Sequence, residues 1–253
     1  MPSKKKIAVV GATGRVGSPT VEILRERGHE VVPVSRTTGV DMVTGDGLGE
    51  ALDGVELIID AATGPSPDQE EATEFFETSA RNLHQAAAER GVAEILVVSI
   101  IGCEHFSTGF YGAKVAHERA HVEGPVPVRI LRAGQFHEYV AEMVKWGIQG
   151  DTAYVAEMRT QLVAAGTVAE ALADLVDGAD GAPRGNPVSE VAGPREENLV
   201  DVAKLQVAKH GDELEIQAGE APDDPEHLWA AGALLPGPIA KLAGPTFEEW
   251  LNA

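Results

Sequence analysis

Lys6-Ile7-Ala8-Val9-Val10-Gly11-Ala12-Thr13-Gly14-Arg15-Val16-Gly17 is the stretch that decides the fold. It opens as a short apolar run, the pattern of a buried strand, and then meets three glycines spaced Gly11, Gly14 and Gly17. The residues that follow, 18–27, are compatible with a helix. A strand, a glycine turn and a helix start together form an anion site, because free backbone N–H groups and the positive end of the helix dipole meet above the turn. In the first βα unit of an open parallel sheet, the expected anion is a dinucleotide pyrophosphate. The plainer reading is a tight turn that is merely rich in glycine. Context favours the nucleotide: the helix follows at once, and a second apolar run, 31–34, arrives where a βαβ unit needs its next strand.

Outward from this turn, apolar runs alternate with helix-like segments. Strands are expected at 7–10, 31–34, 57–60, 95–99 and 128–131, and helices at 16–27, 69–90 and 111–122. Gly28 and Gly91 each follow a helix and precede a strand, as closing glycines do. A weak segment, 46–52, sits where a third strand and its helix would be. The alternation predicts an α/β protein with a Rossmann-type doubly wound parallel sheet. After Gly134 the pattern changes, with helices expected at 138–146, 167–176 and 199–209 and a strand at 188–191. An acidic, proline-bearing loop is expected at 219–225, and a last short helix capped by Thr246.

The 253 residues suffice for a large core, and no apolar run approaches the length of a transmembrane helix. The basic start, residues 1–6, leads into an apolar run too short for a signal-peptide core. A single cysteine, Cys103, excludes an internal disulfide and a cysteine-rich zinc site. A cytoplasmic protein is therefore expected. The net charge of −20 repels phosphate backbones and anionic lipid, so neither nucleic acid nor membrane is an expected partner. The acidic residues are dispersed (Asp68, Glu70, Glu71; Glu196, Glu197; Asp223, Asp224, Glu226) and read as a solvated surface. A site for an anionic cofactor must then carry its own positive charge.

That charge has candidates. Proteins that prefer NAD place an acid at the end of the second strand to hold the ribose 2′-hydroxyl. Here the strand ends Val34-Ser35-Arg36. A guanidinium grips a 2′-phosphate through charge-assisted hydrogen bonds, which a carboxylate would repel. Arg15 inside the turn can approach the same phosphate, and Ser35 and Thr37 add hydroxyl donors. Arg36 also reads as a solvated loop residue; its chemistry favours NADP(H) over NAD(H).

A second constellation is Gly109-Phe110-Tyr111-Gly112-Ala113-Lys114-Val115-Ala116-His117-Glu118, which follows a strand ending in Ser99. A tyrosine and a lysine on one helix face can move a proton, since the ammonium lowers the phenol's pKa and can hold ribose hydroxyls. Ser99 would orient a substrate carbonyl.

With the glycine turn, these residues resemble the short-chain dehydrogenase/reductase superfamily. The closer similarity is to its atypical, NmrA-like branch of NAD(P)H-binding oxidoreductases and nucleotide-sensing proteins. The motifs are Gly11 to Gly17, Asp60-Ala61-Ala62-Thr63, Ala80-Arg81-Asn82-Leu83, Val97-Val98-Ser99, Lys114 with Glu118, and Ile130-Leu131-Arg132-Ala133-Gly134-Gln135-Phe136-His137. Val191-Ala192-Gly193-Pro194 and Thr246-Phe247-Glu248-Glu249-Trp250-Leu251 extend it over nearly the whole chain. The resemblance implies an NAD(P)-binding Rossmann domain over 1–134. It also implies a smaller α+β region, 135–253, that forms the substrate pocket and packs on the first as one globular unit.

It implies a cofactor site of Gly11, Ala12, Thr13, Gly14, Arg15 and Val16, with Ser35 and Arg36 at the adenosine ribose. Ala61, Ala62 and Thr63 would lie along the diphosphate path and Lys114 at the nicotinamide ribose. Gln135, Phe136, His137 and Tyr139 would border the substrate, with Met143 and Trp146 as further apolar walls.

This chain departs from the family in its proton-transfer residues. The family's reductases have Tyr-x-x-x-Lys, but four residues before Lys114 stands Phe110, which has no hydroxyl. Tyr111 is three before it, a shift of about 100° around the helix. Where reductases often have a serine, one residue beyond Ser99, this chain has Ile100. Tyr111 reads equally as a packed aromatic, and His137 as a proton carrier near neutral pH or as a surface histidine. Cys103 and His105 do not make a zinc site, and no metal is expected.

The expected function is NADP(H)-dependent hydride transfer to or from a small quinone, enone or carbonyl, the small-molecule substrate. The alternative is a non-catalytic redox sensor that binds a protein partner, and a weaker one is an isomerase, epimerase or lyase.

Overall fold

The computed structural model describes residues 4–179, 188–211, 213–221, 224 and 226–253. The first half reads β1 (Lys6–Val10), α1 (Gly17–Glu26), β2 (Glu30–Val34), α2 (Leu48–Ala51), β3 (Leu57–Asp60), α3 (Gln69–Arg90), β4 (Glu94–Ile100), α4 (Gly109–Val122) and β5 (Val128–Ala133). Next come α5 (Val140–Trp146), β6 (Ile148–Gln149), β7 (Thr152–Ala156), β8 (Arg159–Thr160), α6 (Ala165–Asp177) and β9 (Val188–Ala192). The chain closes with β10 (Glu197–Asn198), α7 (Leu199–His210), β11 (Glu215–Gly219), α8 (Leu228–Ala231), β12 (Lys241–Leu242) and α9 (Phe247–Leu251).

A seven-stranded parallel sheet runs β12-β9-β5-β4-β3-β1-β2, the Rossmann-type architecture expected. The segment 46–52 contributes no strand. It holds only the four-residue α2, so β2 is the edge beside β1. The reason is local: Gly45 and Gly47 adopt positive φ, and Asp41 accepts the amides of Val43 and Thr44 in a turn.

The chain forms two compact units, one of Met1–Arg132 with Val168–Ser189 and one of Ala133–Thr167 with Glu190–Ala253. In the first unit strand β1 is buried on both faces. Ile7, Ala8, Val9 and Val10 are each 1% exposed or less, although alternate residues point to opposite sides. Ala8, Val10, Ile58, Ile95, Val97 and Ile130 share one face with Leu83 and Ala87 of α3. The polar side of α6 answers Arg27, whose guanidinium reaches Glu170, Asp174 and Asp177.

The second unit carries a three-stranded sheet, β11-β7-β6, with β11 and β7 parallel. Strand β11 runs through Gly219, the start of the expected loop; residues 222, 223 and 225 of that loop lie outside the described residues. Thr246 caps α9 through Glu249 in a reciprocal capping box, as its sequence predicts.

Candidate functional site

Strand β1 lies between β2 and β3, so the chain leaves β1 in one direction and later returns on its other side. Ligands of open α/β sheets bind beyond the strand ends at such a point. There Gly11 N–H donates to Val34 O (3.0 Å), Ala61 N–H donates to Val10 O (3.1 Å), and Gly14 N–H closes the turn on Gly11 O (2.8 Å). Gly11 has φ +73°, and a Cβ on it would stand 2.7 Å from Ala61 O. A Cβ on Gly17 would lie 2.7 Å from the Gly11 carbonyl carbon and nearer still to its oxygen.

Only glycine permits this crossing, which brings the first turn of α1 directly over the end of β1. Among the described residues no side chain caps α1, so its leading N–H groups fit the diphosphate the sequence predicts. Thr13, Gly14 and Arg15 are exposed along the turn, and Ala12 and Val16 are buried beneath it.

After β2, Ser35 N–H donates to Thr38 Oγ1 (2.9 Å) and Thr38 Oγ1 donates to Ser35 O (2.8 Å), shaping a tight 3₁₀ turn. The hydroxyls of Ser35 and Thr37 meet at 2.8 Å, and Arg36 stands exposed at the head of the turn. After β3, Ala61 and Ala62 are half-buried and Thr63 is exposed. The eleven predicted cofactor positions other than Lys114 thus follow three adjacent strands.

The proton-transfer residues are arranged differently from a tyrosine-lysine pair. Helix α4 starts at Gly109, two residues before the expected start. Phe110 packs against the buried cluster of Ala72, Phe76 and Ala113, its ring centre 6.0 Å from that of Phe76, and Tyr111 lies against Phe106 with ring centres 4.9 Å apart. Lys114 is 5% exposed. Its ammonium donates to Val98 O (2.9 Å) and His117 Nδ1 (2.8 Å) and sits 4.6 Å above the Phe76 ring. Ser99 is buried, its hydroxyl 3.8 Å from Cys103 Sγ. Cys103 faces Glu118, itself bidentate with Arg132 (2.9 and 2.7 Å). Burial, with Glu118 beside it, pushes the thiol up to about 12, so Cys103 is inert near neutral pH.

Behind Lys114 lies a cluster that sequence reading missed. His117 and His121, one turn apart on α4, converge on Asp60 at the end of β3; His121 Nε2 is 3.1 Å and His117 Nε2 3.5 Å from Asp60 Oδ2. Asp60 Oδ1 accepts Ala62 N–H (3.0 Å), and His84 of α3 completes the set at 3.2 Å from His121 Nδ1. The i, i+4 spacing of His117 and His121 was the only signal in the sequence.

Burial alone would raise the Asp60 carboxyl, but its bonds from His117 and His121 outweigh burial and hold it well below the ordinary value. Burial pulls Lys114 down to about 8 against the attraction of Asp60, and lowers His117 to about 3, with Lys114 adding, and His84 to about 4.

These shifts fix the sign of an acid response. His84 and His117 protonate near 6.5 in the unfolded chain but only near 4 and 3 when folded. Between those values the unfolded state binds more protons, so stability falls with pH by about 1.4 kcal/mol per unit for each ring. Asp60, held low, adds to the loss below about pH 4. Urea midpoints of chelator-treated protein are expected to drop steeply between about pH 6.5 and 4, and His117→Gln is expected to flatten the drop. A flat profile would contradict the assignment.

In the second unit, His137 is 1% exposed and packs against Phe247 and Trp250, with ring centres at 5.6 and 5.3 Å. Neither ring nitrogen has a hydrogen-bond partner of normal geometry among the described residues. Burial lowers it to about 4, opposed by the nearby Leu162 carbonyl. Gln135 Oε1 accepts Thr160 Oγ1–H (2.6 Å), Phe136 stacks on Tyr139, and Trp146 is 71% exposed.

A family model described as NAD(P)H-binding matches residues 11–177. The chain belongs to this NAD(P)H-binding family. Its fold is similar to that of MoeE5 in complex with UDP-glucuronic acid and NAD, with a TM-score of 0.74 and 16% identity over 98% of this chain and 96% of that one. It is also similar to dTDP-4-dehydrorhamnose reductase from Bacillus anthracis in complex with NADP, at 0.73 and 15% over 99% and 98%. A curated relative, L-arabinose 1-dehydrogenase (NAD(P)(+)) of Haloferax volcanii, is 39% identical over 70 residues. That match spans 25% of this chain and 27% of the relative. Among the described residues, no helix is long and apolar enough to cross a membrane.

Proposed function

We propose that the protein is an NADP(H)-dependent oxidoreductase that passes hydride between nicotinamide and a small quinone, enone or carbonyl. The observation that carries this reading is the glycine crossing at Gly11 and Gly17 with Arg36, and no acid, heading the turn after β2. The short match to a dehydrogenase supports redox chemistry. Gly11, Ala12, Thr13, Gly14, Arg15 and Val16 hold the diphosphate through the turn and the start of α1. Ser35 and Arg36 select the 2′-phosphate, and Ala61, Ala62 and Thr63 line the path beside them. Gln135, Phe136, His137 and Tyr139 belong to the substrate side. The bound nicotinamide supplies or accepts the hydride.

The acceptor class follows from the chain's own groups. Phe110 cannot give a proton, and the Lys114 ammonium is engaged inward. A quinone needs neither, because solvent can protonate its reduced oxygen. For carbonyls and enones, Tyr111 remains the candidate proton donor, with Lys114 and Ser99 as positioning groups. The deciding assay is NADPH oxidation with a panel of quinones, enones and carbonyls; tight NADPH binding without turnover of any acceptor would discard the reading.

Phe110 and the inward Lys114 also favour a second reading, a redox sensor, which would bind NADP+ and NADPH with clearly different affinities and alter a protein contact accordingly. Arg36→Glu tests the cofactor preference. NADPH affinity is expected to fall by about 10- to 100-fold, from loss of a charge-assisted pair and gain of repulsion, with NADH binding little changed. Equal effects on both nucleotides in a fluorescence titration would overturn it.

A further inference from the structure

We propose that Asp60, His117 and His121 form a binding site for one divalent transition-metal ion that ties the end of β3 to α4. His117 Nε2 and His121 Nε2 are 3.0 Å apart, and Asp60 Oδ2 lies 3.1 and 3.5 Å from them. An ion with bonds of about 2.0–2.1 Å to nitrogen and oxygen fits over a triangle of this size. The i, i+4 pair presents both imidazoles on one side of α4, and the Ala62 amide holds Asp60 Oδ1, leaving Oδ2 for the ion. All three side chains are 1% exposed or less. Two imidazoles and a carboxylate suit zinc, cobalt, iron(II) or manganese and not calcium or magnesium, which take oxygen ligands.

Hydrogen bonds alone leave the triangle in conflict. Val126 N–H donates to His84 Nδ1 (3.3 Å), so the His84 proton sits on Nε2 and is given to His121 Nδ1. The Lys114 ammonium donates to His117 Nδ1. Each ring of the pair then carries its own proton on Nε2, and two N–H groups face each other across 3.0 Å over one carboxylate oxygen. An ion at the centre replaces both protons. Each ring then keeps Nδ1 toward its neighbour, His117 toward Lys114 and His121 toward His84, and the displaced protons pass to solvent. His84 and Lys114 are thus the groups that orient the two ligand rings.

The test uses full-length protein purified without a histidine tag, stripped by chelator and refolded with zinc, cobalt, manganese or iron(II). One equivalent of metal per chain is expected to survive gel filtration. The cobalt form should show the visible d–d absorption of a low-coordinate nitrogen and oxygen site, and the metal-loaded protein should melt higher than the stripped one. His117→Gln and His121→Gln should each weaken uptake by about 10-fold or more, whereas His210→Gln, at an exposed histidine, should leave it intact. Wild-type protein that retains none of the four metals overturns the proposal, as does uptake that His117→Gln and His121→Gln leave unchanged. Should either variant fail to fold, the wild-type metal content and cobalt spectrum still decide.

Discussion

Gly17→Ala is expected to weaken NAD(P)H binding by about 100-fold and to destabilise the protein by about 3 kcal/mol or more, the upper range for overpacking. The added methyl would overlap the Gly11 carbonyl, with Ala12 Cα also at 3.0 Å. Both neighbours are backbone, so no side chain can rotate aside. The start of α1 would have to lift from the end of β1, carrying the leading N–H groups away from the diphosphate. A loss of 2–3 kcal/mol in that contact corresponds to about 100-fold in affinity. Gly166→Ala in α6 is the control, since nothing stands within 4 Å of its Cβ and its φ is not positive. It should be neutral or stabilise by about 0.5–1 kcal/mol. NADPH fluorescence titration and urea unfolding give both readouts. Gly17→Ala protein that binds within threefold of wild type would refute the crossing as the cofactor's seat.

Asp60→Ala is expected to cost about 3–5 kcal/mol, because it removes a buried carboxylate whose charge attracts the Lys114 ammonium and which faces His117 and His121. The same change strips the acceptor from His117, His121 and the Ala62 amide. Urea unfolding at neutral pH in chelator isolates this effect from any bound ion. Combining Asp60→Leu with Lys114→Met should recover part of the loss, since replacing both buried charges removes the desolvation cost of each. A loss below about 1 kcal/mol for Asp60→Ala would show that Lys114 is neutral or hydrated and that the Asp60 charge is not what holds it.

The legible parts of this molecule are those whose cause is local in the chain. Strands β1 to β5 announce themselves by apolar runs bounded by glycine, and the glycine turn after β1 by a spacing whose steric reason lies within seven residues. Strands β6, β8, β10 and β12 are two residues long, too short for any period to show. Strand β7 pairs in parallel with β11, whose sequence partners lie about sixty residues on, and neither is strongly apolar. The histidine cluster was hidden for a related reason. Asp60, His84 and the pair on α4 come from three elements, and only packing of α3 and α4 beside β3 brings them together. Phe110 in the tyrosine register was readable as a loss; that Lys114 turns inward to a histidine was not, because its partners are set by burial.

Arg27 and Asp174 are separated by 147 residues, yet they belong to the same compact unit. Residues 133–167 are therefore an insertion written between a long and a short segment of one compact unit. During synthesis the acidic partners of Arg27 emerge only after that insertion has been made. Until then Lys5 and His29, which bond to Val176 and Asp177, wait with it. The first unit thus cannot be excised as the contiguous N-terminal segment that carries the glycine turn, and its completion is timed by a helix encoded in the second half of the chain.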